Sequence, residues 1–233
     1  MSSGVDARPG GRRSRRSAGG PHLAAPVARA GGAGTTGPAD VIAAATEIYL
    51  SGEPLDMSAL AGRLAIGRAT LYRWVGNREE LLGVVLADAA ERTWNAARHA
   101  VLTELATGPP VSGAEYIFRV IRWYITKVIT TRPLRTLTQR EPLLVIRLTT
   151  MPGAVEERAI AMVTRSLQEQ VGAGRLDLPL PAPVLAEAII RIFYTLLHAS
   201  VLGKPDQQLE GTLALIARML GLPREPPAGP ARG

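Results

Sequence analysis

Arg68, Thr70 and Arg73 stand close together in the stretch Arg68-Ala69-Thr70-Leu71-Tyr72-Arg73-Trp74-Val75. An arginine can donate two parallel hydrogen bonds to guanine N7 and O6, and a threonine can meet a thymine methyl group or a phosphate. If the stretch is helical, these side chains lie on or near its exposed face, and at least one of the two arginines is expected to read a base. The segment is too short and too polar to be an ordinary core helix.

The elements that must position these side chains are legible on both sides. Met57, Leu60, Ala61 and Leu64 recur at spacings of three and four, with Asp56 placed as an N-cap, and predict one helix. The pattern breaks at Ala65-Ile66-Gly67 and resumes at Arg68. Two short helices joined by a tight turn make a helix-turn-helix, whose second helix lies in the DNA major groove. Gly76-Asn77 ends that helix, and Asn77 with Glu80 forms a capping-box start for the next.

From about Pro38 to Val85 the chain resembles the DNA-binding domain of the TetR family of bacterial transcriptional regulators. Helix, turn, Leu71-Tyr72, the aromatic pair and Arg78-Glu79-Glu80-Leu81 occur in family order. The resemblance implies that the Tyr72 hydroxyl reaches a phosphate and that Trp74 contacts backbone or base methyls. It also implies that Arg78, standing for a family lysine, binds a phosphate with bidentate geometry added. The family usually has Gly-Val-Ser where this chain has Ala65-Ile66-Gly67, so a glycine occupies the cap position of a serine, weakening the cap by a few tenths of a kcal/mol. Leu60, Ala61, Leu64, Ile66, Leu71, Val75 and Leu81 read as core.

Composition points the same way. Hydrophobic residues make up 46% of the 233, only two are Phe, and Ala, Leu, Ile and Val recur at helical spacing without a period-2 strand, so an all-α protein is expected. The absence of cysteine excludes disulfides, thiolate zinc sites and cysteine nucleophiles. No uninterrupted apolar run approaches the roughly 18 residues of a membrane span, and the N-terminus lacks a signal-peptide apolar region. A cytoplasmic, membrane-free protein is expected. The net charge of +7 is uneven: residues 1–37 carry six arginines against Asp6, and the rest carries 21 basic and 19 acidic side chains.

Four regions are expected. Residues 1–37 form a disordered basic tail, in which Arg12-Arg13-Ser14-Arg15-Arg16 could add phosphate or minor-groove contacts or have no role. Residues 38–84 form the three-helix DNA-binding domain, 85–222 a larger helical effector-binding and dimerisation domain, and 223–233 a second disordered tail. Within 38–78, Arg63, Arg68, Arg73 and Arg78 balance Asp40, Glu47, Glu53 and Asp56, with the acids in the first helix and the loop after it. A long helix from Asn77 to about Ala106 links the parts; by the resemblance it is the lever that transmits ligand binding.

Further helices are expected over about 113–131, 134–140, 142–150, 153–171, 183–203 and 205–220. The larger domain resembles TetR-type effector domains, and Tyr116 to Thr131, Arg140-Glu141-Pro142 and Ala173-Gly174-Arg175-Leu176 resemble the QsdR-like group, typified by a regulator of quorum-signal lactone degradation. Arg119, Trp123 and Tyr124 could wall a ligand pocket or be core aromatics with solvated arginines. Arg147, Tyr194 and His198 could supply its polar groups, although a lone His198 also suits a structural hydrogen bond. Ile189, Ile192, Phe193 and Leu196, followed by Leu209, Leu213 and Ile216, make apolar stripes that the resemblance assigns to a four-helix homodimer interface; intrachain core is the other reading.

The function expected is a ligand-released repressor of a palindromic operator in double-stranded DNA, its effector small and apolar. No cofactor or metal is expected: Walker and dinucleotide glycine loops, a G-x-S-x-G elbow and metal-like histidine spacing are all missing, which argues against an enzyme. A helical interaction protein whose helix-turn-helix serves only packing is the alternative.

Overall fold

The computed structural model describes residues 36–201 and 209–223, and among these every regular element is an α-helix. The basic arm around Arg12 to Arg16, the junction of the last two helices and the final tail lie outside the described residues. The helices are α1 (Pro38–Ser51), α2 (Met57–Arg63), α3 (Arg68–Val75), α4 (Arg78–Leu105), α5 (Gly113–Thr130), α6 (Arg132–Arg140), α7 (Pro142–Thr150), α8 (Ala154–Gly172), α9 (Ala182–Val201) and α10 (Leu209–Met219).

Local chemistry sets the boundaries that matter for the site. The Asp56 carboxylate accepts from the backbone N–H of Ser58 and Ala59 at 2.7 and 2.8 Å and so starts α2. These bonds hold the Asp56 carboxyl below its usual range. At the other end of α2, Ile66 N–H reaches Ala61 C=O and Ala65 N–H reaches Gly62 C=O, a Schellman closure that requires a left-handed residue. That residue is Ala65, at φ 52°, where a side chain is disfavoured.

The next junction follows the sequence pattern. Gly76 takes φ 71°, and Asn77 and Glu80 exchange capping hydrogen bonds of 3.0 and 2.7 Å at the start of α4. The 28-residue α4 then serves two cores. Its Leu81, Leu82 and Val85 join Val41, Leu60, Leu71 and Val75 in a cluster beneath the helix-turn-helix, which Leu144 of α7 also enters. Farther along, Trp94, Ala97 and Val101 join Ile117, Ile121, Leu167, Ile189 and Ile216 in a second cluster.

Trp94 Nε1 donates to Ser166 Oγ at 3.1 Å, which satisfies the one polar group that so buried an indole carries. In α9, Ala182–Ala199 is long and apolar enough to cross a membrane, interrupted by Glu187 and Arg191; it lays Leu185, Ile189, Phe193 and Leu196 in the core.

Candidate nucleic-acid interface and ligand cavity

Leu71 and Val75 anchor α3 to the first core, which turns the polar side of this short helix to solvent. Arg68 and Arg73 are exposed and have no ion-pair partner among the described residues, Thr70 is half-buried, and Tyr72 is 42% exposed. Trp74 packs half-buried against the head cluster. Two free guanidiniums, a phenol and a threonine hydroxyl thus share one convex helix, with no competing carboxylate on it.

Several of the other charged groups here are held by neighbours. Arg63 pairs with Glu47, and Asp40 accepts from the Gly37 N–H at 2.8 Å. Arg78 departs from expectation. Its Nε donates to Leu55 C=O at 2.7 Å, while Nη1 and Nη2 donate to the two carboxylate oxygens of Glu141 at 2.8 and 2.5 Å. The forked guanidinium is therefore turned inward to the α6–α7 junction, because a fixed carboxylate satisfies it better than water does. This pairing holds the Glu141 carboxyl below its usual range.

The residues expected to form one ligand pocket separate into different places. Arg119 pairs with Glu115 and Glu104 and, with Trp123, borders an open groove beside α10; Lys127 lies 5.4 Å above the Trp123 ring. Arg147 pairs with Glu79 at the surface. Only Tyr124 and Tyr194 line a common cavity, of about 210 Å³, whose walls come from α1 and from α4 through α9. His198 sits behind it, its Nε2 2.7 Å from the Oγ1 of Thr149, a wall residue, and burial lowers its pKa.

Several wall residues were not singled out in the sequence. Thr46 and Tyr49 of α1, Thr93 of α4 and Thr149 of α7 line the cavity, as does Phe193 of α9, expected instead at a dimer interface. Tyr124 stacks edge-on between Trp94 and Phe193 with ring centroids 5.4 and 5.7 Å apart. The only sequence signal for the cavity is the small-residue run Ala89, Ala90 and Thr93, which leaves room beside α4.

The apolar stripes of α9 and α10 are corrected too. Ile189, Phe193, Leu196, Leu213 and Ile216 are buried within the single chain, and only Ile192 and Leu209 keep part of their surface. Each stripe faces α5, α8 or the opposite helix of the pair, because the body needs them as core.

A family profile described as tetracyclin repressor-like, C-terminal domain, matches residues 112–221. The structure is similar to that of the R. erythropolis transcriptional repressor QsdR from the TetR family, at 44% identity over 81% of this chain and 96% of that one, with TM-score 0.72. It shares its fold with AlkX, a TetR family repressor from Dietzia sp. strain DQ12-45-1b implicated in biodegradation of n-alkanes (24% identity, 81% and 97% coverage, TM-score 0.58). It also shares the fold of RolR in complex with resorcinol (18%, 79% and 87%, TM-score 0.59). No curated protein matches the chain in sequence.

Proposed function

Because this chain belongs to the TetR family of transcriptional regulators, we propose that it represses transcription from a palindromic operator and is released when a small, largely apolar molecule occupies the cavity between α1, α4, α5 and α9. The observation that carries the reading is the exposed pair Arg68 and Arg73, unpaired among the described residues, on a helix anchored by Leu71, Val75 and part of Trp74. Such a helix suits the major groove, with Thr70 and Tyr72 supplying contacts to phosphate or base methyl. Arg78 supports the head from within.

Regulators of this family act as dimers on DNA in the cytoplasm. In this chain the residues left to meet a second copy are the outward faces of α9 and α10, where Val184 and Leu215 are 51% and 50% exposed beside Ile192. Two heads related by a two-fold axis require half-sites about 34 to 36 Å apart or somewhat more. Repression rather than activation is supported by the 44% identical relative, a transcriptional repressor.

Release follows from linkage: the effector must bind the form that does not fit DNA better than the form that does, and a coupling of about 1 to 3 kcal/mol is typical. The test is selection of duplexes from a random pool by the purified full chain at two salt concentrations. A palindromic, salt-sensitive consensus is expected. Enrichment of no sequence at either salt would refute sequence reading.

A further inference from the structure

The cavity's polar groups are all hydroxyls apart from one arginine. Its walls contain no carboxylate and no lysine, and Arg92 is exposed. Thr131 is partly exposed, so its hydroxyl can be met by water, and Thr46, Thr93 and Thr149 already donate to the carbonyls of Ile42, Ala89 and Val145 in their own helices. Their remaining capacity toward the cavity is as acceptors. The Tyr194 hydroxyl makes a long hydrogen bond of 3.5 Å to Val155 C=O.

The Tyr49 and Tyr124 phenols differ. Both residues are buried and line the cavity, neither hydroxyl has a hydrogen-bond partner among the described residues, and the two lie near enough to raise the cost of ionising Tyr124. Burial pushes all three phenols well above their usual range, so each keeps its proton. The empty space amounts to roughly seven water volumes, below the size of most drug-like sites.

We infer that this cavity selects a small uncharged molecule carrying a carbonyl-type acceptor oxygen, which takes hydrogen bonds from Tyr49 and Tyr124. Two buried free donors in a largely apolar shell want an acceptor. A carboxylate would also accept, but it would leave water for walls that place no buried cation beside it, which is costly. A hydrocarbon of equal size would leave both donors unpaired, a further cost. Tyr49 lies on α1, whose Val41 and Ala45 pack in the core beneath the helix-turn-helix. A ligand held by Tyr49 therefore touches the DNA-binding head directly.

The inference rests on the proposed effector role of the cavity, and the experiment separates the two. The full chain is titrated calorimetrically with acetophenone, benzoate and ethylbenzene, which match in size and differ in charge and acceptor. Operator retention is followed in parallel by filter binding. Acetophenone is expected to bind best, and Tyr49→Phe and Tyr124→Phe are each expected to weaken it by about five- to tenfold while tightening ethylbenzene, whose complex then buries one unpaired donor fewer. Benzoate binding as tightly as acetophenone, phenylalanine variants that leave acetophenone affinity intact, or no binding of any of the three at their solubility limits would overturn the inference. Tyrosine-dependent acetophenone binding without operator release would uphold it and remove the effector reading instead.

Discussion

Replacing the head's arginines by glutamine one at a time should separate those that neutralise DNA from the one that does not. Arg68 and Arg73 are free and exposed, so each is available to displace a counterion; in a two-headed complex each substitution removes two cations and should lower the slope of log affinity against log salt by about 1.8. Arg78→Gln should leave the slope unchanged, because all three guanidinium nitrogens already face Leu55 C=O or the Glu141 carboxylate.

Its effect should fall on stability. Removing one member of a half-buried bidentate pair should cost about 1 to 2 kcal/mol, read by urea unfolding, with Glu141→Gln costing a similar amount and the double variant less than the sum. The sign with pH follows from the lowered Glu141 value. The pair's contribution is complete above the usual glutamate range and is lost as pH falls through the lower folded-state value, so the Arg78→Gln penalty should shrink in acid. Filter binding of operator duplex across a potassium chloride series decides the matter. An Arg78→Gln slope lowered as much as that of Arg73→Gln would show that the arginine leaves Glu141 for a phosphate.

Three further outcomes are expected. Ala65→Gly should raise stability by about 1 kcal/mol in urea, since it removes a side chain from a left-handed backbone; a loss would mean that the methyl group packs favourably. Gly113→Ala should lower stability by about 1 to 3 kcal/mol, because an added Cβ would sit 2.6 Å from Arg175 C=O, which also accepts the Gly113 N–H at 2.8 Å. Burial lowers the His198 pKa, so its contribution is present above 6.5 and is lost as pH falls through the lower folded value. His198→Gln should therefore flatten unfolding free energy between about pH 7 and 5, and an unchanged pH profile would exclude that role.

The sequence revealed what neighbouring residues decide. Asp56 and Asn77 with Glu80 mark helix starts through bonds spanning two or three residues, and those starts lie where the pattern placed them. Arg68 and Arg73 were legible for the same reason, since a short helix with Leu71 and Val75 inward has only one polar side. The inward turn of Arg78 was not legible: its partner Glu141 lies 63 positions away. The stripes of α9 and α10 were ambiguous because an apolar face looks the same in sequence whether it meets its own chain or a second copy. Tyr49 carries no sequence signal of its own, and only the folded chain shows that it borders a cavity with residues of α4, α5 and α9.

That shared wall bears on how such regulators diversify. A head is often pictured as a cassette that evolution can exchange among effector bodies, each part bringing its own specificity. Here Thr46, Tyr49 and Leu50 of the head are also part of the cavity surface. A chimera carrying a foreign head would inherit a foreign section of cavity wall, and substitutions in α1 would reshape the cavity while leaving the exposed arginines of α3 in place. On the proposed function, exchanging the head would therefore also alter the molecule that releases it.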